Sequence, residues 1–265
     1  MNSLPLILGH RGASAVAPEN TLAAFSRAIR DGADGIEFDV RLSRDQVPVV
    51  IHDATLKRTG LIDRLVAELS SEELQNTDVG TWFDQGYRRE DLSSSTDYSV
   101  EKIPTLAQVF ELFRSNTGVL YLEMKCAANA AAALATEVVT AIRRAEMIER
   151  VVVECFDLAA IVHVKRIDAA IRTAALFEPK LLRPRSTVQR TKMIDLALEN
   201  GANELALHHT LAGARVVEQA RARGLEVVVW TVDSLRWVER ARNMGIKALI
   251  ANDPAPLVDH RNGSR

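Results

Sequence analysis

Residues 35–53 read Gly35-Ile36-Glu37-Phe38-Asp39-Val40-Arg41-Leu42-Ser43-Arg44-Asp45-Gln46-Val47-Pro48-Val49-Val50-Ile51-His52-Asp53. This stretch decides how the strands of the chain are counted. Gly35 to Val40 alternates apolar and acidic side chains, as a strand does. Val47 to Ile51 is a second β-branched run, and only Ser43 to Gln46 separates it from Leu42. Parallel neighbours need a crossover of about a dozen residues or more. The two runs therefore predict an antiparallel hairpin that rises beyond the sheet and returns. The return arm carries His52 and Asp53 back toward the end of the first arm and is not a strand of the main sheet.

Outward from this hairpin, short strands and helices alternate. Leu6 to His10 reads as a strand and Thr21 to Asp31 as a helix, with Asn20 or Thr21 available to cap its first turn. A helix is expected at Thr105 to Arg114. Strands are expected at Val119 to Met124, Val151 to Phe156, Thr173 to Phe177, Glu204 to His208, Glu226 to Thr231 and Ala248 to Ala251. Ala214 to Arg223 and Leu235 to Asn243 read as helices, with Gly224 and Gly245 placed as C-terminal stops. With the return arm set aside, eight parallel strands remain. Over this length they predict an α/β fold, a (β/α)8 TIM barrel with a small insertion after the second strand's hairpin. A doubly wound sheet is the main competitor, but the G-x-G-x-x-G turn it usually carries is missing. One domain over 1–265 is expected. Its insertion spans approximately 54–103, holds some helix such as Ser71 to Gln75, and includes Ser93-Ser94-Ser95. The polar tail His260 to Arg265 is expected to fray.

The alternation also aims the chemistry. Ile36, Phe38 and Val40 share one strand face; Glu37 and Asp39 share the other. Val119 to Lys125 repeats the pattern, with Leu120, Leu122 and Met124 outward and Glu123 and Lys125 inward. In a barrel the apolar face meets the helices, and the acidic face meets the mouth at the carboxyl ends of the strands. Buried carboxylates need a positive partner. Three of them make an all-oxygen site suited to Mg²⁺ or Ca²⁺, with Mn²⁺ also possible, rather than zinc. His10 and His52 end strands at the same rim, and imidazole gives or takes a proton near neutral pH. Arg11 offers a guanidinium fork and Lys125 a point charge to phosphate oxygens. Taken singly, each feature also fits a salt-bridge network or a hydrogen-bonded structural histidine. Together they fit metal-assisted cleavage of a phosphodiester, with one histidine as base and the other as acid. His163, His208, His209 and His260 are read as structural.

Composition narrows the classes. The chain has 265 residues, 47% hydrophobic, which is enough for a sizeable core. Its 33 basic and 35 acidic residues give a net charge of −2, without the basic excess of a nucleic-acid binder. Cys126 and Cys155 form no CxxC pair and read as small buried side chains. The start Met1-Asn2-Ser3-Leu4-Pro5 lacks a basic leader, and Asn129 and Glu137 interrupt the longest apolar stretch. A cytoplasmic protein with no stable membrane insertion and a small-molecule substrate is expected; the oligomeric state is left open.

Several segments strongly resemble the glycerophosphodiester phosphodiesterase family. They are His10-Arg11-Gly12, Ala17 to Thr21, Gly32 to Val40, Val49 to Asp53, Arg58-Thr59, Gly80 to Phe83, Ile103 to Leu106, Leu122 to Lys125, Val229 to Val232 and Asn252 to Pro254. Their order and spacing match over almost the whole chain. The resemblance implies hydrolysis of glycerophosphodiesters to glycerol 3-phosphate and an alcohol. It implies His10 and His52 as the acid–base pair, Glu37, Asp39 and Glu123 as metal ligands, and Arg11 and Lys125 as phosphate ligands. It adds Phe156 and Trp230 as walls for the glycerol part, although both also fit a barrel core. Related barrel phosphodiesterases act on lysophospholipids or other phospholipid-derived phosphodiesters, which is the alternative substrate class. A non-catalytic phosphodiester sensor would not need two histidines. The attacking oxygen is left open between the glycerol 2-hydroxyl and water. Two stretches depart from the family pattern: Gly60-Leu61-Ile62-Asp63 replaces a Thr-Asn-Gly-rich turn, and Glu154-Cys155 stands where relatives often carry serines. Both bear on which alcohol is accepted.

Overall fold

The structure, a computed structural model, describes residues 3–86, 97–179 and 187–263. The Ser93-Ser94-Ser95 run lies outside the described residues. The chain opens with β1 (Leu6–His10), α1 (Leu22–Arg30), β2 (Gly35–Leu42) and β3 (Pro48–Val50). The next stretch holds α2 (Ser71–Gln75), α3 (Thr81–Gly86) and α4 (Leu106–Leu112). Regular alternation follows: β4 (Val119–Met124), α5 (Ala131–Arg144), β5 (Val151–Cys155), α6 (Leu158–Ile167), β6 (Arg172–Phe177) and α7 (Thr187–Glu199). It ends with β7 (Glu204–His208), α8 (Ala214–Ala222), β8 (Glu226–Trp230), α9 (Arg236–Met244), β9 (Ala248–Ala251) and α10 (Pro254–Gly263).

Eight parallel strands close on themselves, because β1 pairs with both β9 and β2. The remaining strand, β3, is antiparallel to β2, with Val40 opposite Val50. The hairpin is therefore as the short Ser43–Gln46 connection requires. Period-2 alternation sorts the side chains into two shells. Outside the barrel, Ile36, Phe38 and Val40 pack with Phe25 of α1 and with Val109 and Phe110 of α4. Inside it, Leu8, Tyr121, Val152, Leu176, Val228 and Ile250 form a second cluster. Fully burying each such side chain stabilises the fold by roughly 1.5–3 kcal/mol.

Local signals set the helix ends. Thr21 Oγ1 accepts from Ala24 N and caps α1. Ser70 with Glu73, and Thr105 with Gln108, form capping boxes at α2 and α4. Gly245 ends α9 at φ +69°, a conformation that carries no Cβ penalty in glycine. The stretch between β3 and α4 has its own apolar cluster, including Ile51, Leu56, Leu74, Val79 and Ile103.

Two expectations are corrected at the ends of elements. Phe156 and Thr231 lie one residue beyond their strands, where the chain turns from the sheet toward the next helix. The tail does not fray at His260. Instead, α10 continues to Gly263, and Arg261 ties it to the Pro5 carbonyl and the Asp34 carboxylate. Among the described residues no helix is long and apolar enough to cross a membrane.

Candidate active site

Glu37 and Asp39 alternate to the inside of β2, and the parallel register sets Asp39 beside Glu123 of β4. All three carboxylates are buried, and each offers an oxygen within 4.8 Å of the others. Two cations enter the group. Lys125 Nζ lies 2.6 Å from Glu123 Oε1 and 3.2 Å from Asp39 Oδ1. Arg11 Nε lies 3.2 Å from Asp39 Oδ2, and the Arg11 backbone N–H donates to Glu37 Oε2 at 3.1 Å. That last bond needs the sharp turn after β1, where Arg11 and Gly12 take φ +54° and +83°. A Cβ on Gly12 would stand 2.6 Å from the Ala24 backbone, so only glycine lets α1 approach this turn. Asn20, itself at φ +59°, donates from Nδ2 to Asp39 Oδ2 at 2.8 Å; of the two cap candidates it serves the site and Thr21 serves the helix.

Two cations do not neutralise this group evenly. Burial opposes ionisation of Asp39, but Arg11 and Lys125 outweigh it and hold Asp39 at about 2. Burial, then the charge of Asp39, pushes Glu123 up to about 7. Burial and the like charges of Asp39 and Glu123 push Glu37 well above its usual value. Such a set gains from a further cation between the three oxygens, and its all-oxygen character fits a hard divalent ion.

The histidines flank this group with different partners. His10 Nδ1 is 2.7 Å from Asn252 Oδ1, while Asn252 Nδ2 donates to Asp233 Oδ2 at 2.8 Å. Asp233 thus turns the amide so that its oxygen faces His10. Nδ1 of His10 then carries the proton and Nε2 is left with its lone pair, 3.8 Å from Glu37 Oε2. Burial and the charge of Arg11 pull the His10 pKa down to about 4, which favours the neutral ring. His52 Nδ1 instead faces a carboxylate, Asp53 Oδ1, at 2.7 Å. Burial lowers its proton affinity; Asp39 and the Asp53 bond oppose the fall.

An outer chain of charges links Asp53, the partner of His52, to Arg11, the chain neighbour of His10. Arg58 donates to Asp53 Oδ2 at 2.7 Å and forks onto Glu19 at 2.7 and 2.8 Å. Glu19 also accepts from Arg11 Nη1 at 2.8 Å. Trp82 of α3 lies under the Arg58 guanidinium, 5.6 Å from it. Arg41 Nε donates to the His52 carbonyl at 2.8 Å and ties the end of the return arm to β2. Sequence reasoning did not single out Glu19, Asn20, Arg41, Arg58, Asp233 or Asn252 as site residues. Four of them stood in the segments that carry the family resemblance, but their side chains acquire partners only when separate loops meet.

A cavity of about 140 Å³ opens over these groups. Phe156, 40% exposed, and Trp230 form its aromatic side, with ring centroids 5.7 Å apart at 85°. Neither ring is sealed in the barrel core. Lys125 Nζ sits 5.7 Å from the Phe156 ring. Glu154 lies at the floor, buried, and burial followed by the charges of Glu37 and Glu123 raises its pKa well above the usual value. All nine residues singled out from the sequence except Asp39 line this cavity, and Asp39 touches Arg11 and Lys125 beneath it. His208 stacks beside His209 and edge-on to Trp230, at 4.2 and 5.3 Å between centroids. Cys155 donates its thiol to the Met124 carbonyl, and both cysteines are free.

Known proteins resemble this chain in sequence and fold. The sequence model of the glycerophosphoryl diester phosphodiesterase family matches residues 10–255. A glycerophosphodiester phosphodiesterase of Caldanaerobacter subterraneus is 31% identical over 254 residues, covering 96% of both chains. One from Bacillus subtilis is 25% identical, covering 94% of this chain and 84% of its own. A phosphodiesterase of Oleispira antarctica, solved with the product sn-glycerol-3-phosphate, superposes with a TM-score of 0.81. It is 25% identical over 98% of this chain and 97% of its own.

Proposed function

The chain belongs to the glycerophosphoryl diester phosphodiesterase family, and we propose that it hydrolyses glycerophosphodiesters to glycerol 3-phosphate and an alcohol, with a divalent metal and two histidines. One observation carries this reading. Three buried carboxylates converge within 4.8 Å at one cavity that both His10 and His52 also line. Glu37, Asp39 and Glu123 would hold Mg²⁺, Ca²⁺ or Mn²⁺. When bound, such an ion supplies Lewis acidity toward the phosphoryl oxygens. Arg11 and Lys125 hold the non-bridging oxygens and offset their charge. Phe156 and Trp230 wall the glycerol moiety.

The partners of the two histidines divide their roles. His10, with Nδ1–H committed to Asn252, offers the Nε2 lone pair and takes the proton of the attacking oxygen. His52, whose Nδ1–H faces the Asp53 carboxylate, is the ring whose protonated form is stabilised by a fixed anion. It delivers the proton to the departing alkoxide. The Arg58–Glu19 chain holds Asp53 and Arg11 at a set distance, which positions acid and phosphate ligand together.

The test is a panel of glycerophosphodiesters assayed after chelation and with defined divalent ions. Glycerol 3-phosphate should form only with metal. Its formation at full rate in excess chelator would reject the metal role. A p-nitrophenyl ester, whose leaving group needs no protonation, should rescue His52→Ala and leave His10→Ala inactive; equal rescue of both would reverse or erase the division. The exposed side chains Leu61, Ile62 and Leu65, at 56%, 43% and 44%, follow His52 in the chain and favour one second reading, a lysophospholipid. Faster turnover of lysophosphatidylcholine than of glycerophosphocholine would select it.

A further inference from the structure

Glu154 has no part in the reaction as described, yet it is among the most costly side chains in the barrel. It sits on β5 with Glu123 in register on one side and Ala174 on the other. It is 1% exposed, and its Oε2 has no hydrogen-bond partner. An unsatisfied buried polar group of this kind costs about 1–3 kcal/mol. Ala174 is too small to fill the space beside it. Leu176 and Ile250 continue the cavity wall, and neither offers a polar atom. A second orphan borders the same cavity: the Trp230 indole Nε1–H is also buried without a partner. A carboxyl group and an N–H donor thus border the cavity that Arg11 and Lys125 also line, where Leu176 and Ile250 supply the apolar wall and the exposed Glu178 stands at its edge.

A hydroxyl is a group that can satisfy either atom. It donates and accepts at once, and it pairs with a carboxyl in either protonation state. Glycerol carries two free hydroxyls next to the phosphoester. It is also the part common to every glycerophosphodiester, so it suits the closed floor, while a variable alcohol needs the open mouth. We propose that Glu154, assisted by the Trp230 N–H, is the specificity residue that reads the glycerol hydroxyl farthest from phosphorus. This inference rests on the hydrolytic reading above.

The experiment compares two substrates on the metal-loaded enzyme. One is glycerophosphocholine. The other is its analogue lacking only the terminal hydroxyl, a propane-1,2-diol phosphocholine that keeps the 2-hydroxyl. The wild-type protein should favour the first in kcat/KM by about 10–100-fold, the range of one buried charge-assisted hydrogen bond. Glu154→Leu should bring that ratio close to one, mainly through KM for glycerophosphocholine. Glu154→Gln, which keeps a donor and an acceptor at the same place, should retain most of it. If Glu154→Leu does not fold, Glu154→Ser is read in the same way, because its hydroxyl is too short to reach. An unchanged ratio in the folded variant overturns the proposal. So does a loss of divalent-metal affinity that tracks the loss of rate, which would make Glu154 a metal ligand. Failure of the wild-type protein to cleave either substrate defeats the hydrolytic reading itself, and this inference with it.

Discussion

The barrel carries a cluster of buried carboxylates and cations at each end, and the two clusters are built differently. At the amino-terminal rim, Glu204 is fully buried, and both its oxygens are occupied. Arg172 and Lys247 donate to Oε1 at 2.9 and 2.7 Å, and Tyr121 donates to Oε2 at 2.6 Å. Glu226 joins the same two cations at the solvent edge. Two acids meet two bases and a phenol, and the network closes. At the carboxyl-terminal rim, Glu37, Asp39 and Glu123 share Arg11 and Lys125, so the carboxyl groups outnumber the cations by one before Glu154 is considered. A closed network leaves no buried group unpaired; an open one holds carboxyl groups whose ionisation a further cation would favour.

The largest expected effect separates the two ends by activity. Glu37→Gln should lower kcat/KM by roughly 10³-fold or more, the scale of losing a central electrostatic group, while the thermal midpoint stays level or rises as repulsion is relieved. A Glu37→Gln protein that turns over normally would mean that the open cluster is not the reaction centre. The opposite substitution, Glu204→Leu, should leave kcat/KM within a few-fold. It strands the Tyr121 hydroxyl and leaves Arg172 and Lys247 with Glu226 alone, so it should cost about 3 kcal/mol, or a fall of roughly 6–12 °C in a calorimetric scan. Unchanged melting with lost activity would erase the distinction between the rims.

The smallest effect is in pH. The folded pKa of Glu123 is raised from 4.5 to about 7. Its favourable contribution in the metal-free protein is therefore full below about pH 4.5 and is lost as the pH rises through 7. Asp39 has the opposite sign, lowered from 3.8 to about 2, so its contribution is present above 3.8 and lost only as the pH falls through 2. Chelated protein should lose roughly a few °C in melting temperature between pH 5 and pH 8. A divalent ion should restore more at pH 8 than at pH 5, because binding at low pH must first expel protons. A metal response that is flat across this range, read by calorimetry in two buffers, would show that the carboxylates are already ionised.

The site was legible where it follows from strand period and register. Glu37, Asp39, Glu123 and Lys125 point inward because odd and even positions of a strand take opposite faces, and the order of the segments marked His10 and His52. The closed barrel was likewise legible, since the four-residue link after Leu42 removes one strand from the count. Glu154 was noticed only as an oddity beside Cys155. Its burial and its unpartnered Oε2 depend on what the barrel sets beside it, with Ala174 opposite it on the next strand.

Local sequence thus determined the elements and which face of each strand is acidic, because those depend on neighbours two to four residues away. Tertiary structure alone decided the partners. Asp233 orients Asn252, Asn252 sets the His10 tautomer, and Arg58 ties Asp53 to Glu19. Asn252 meets His10 across 242 residues and Arg58 meets Glu19 across 39. Hydrogen bonds and ion pairs are short-ranged and directional, so which groups meet is settled by barrel closure rather than by any spacing along the chain.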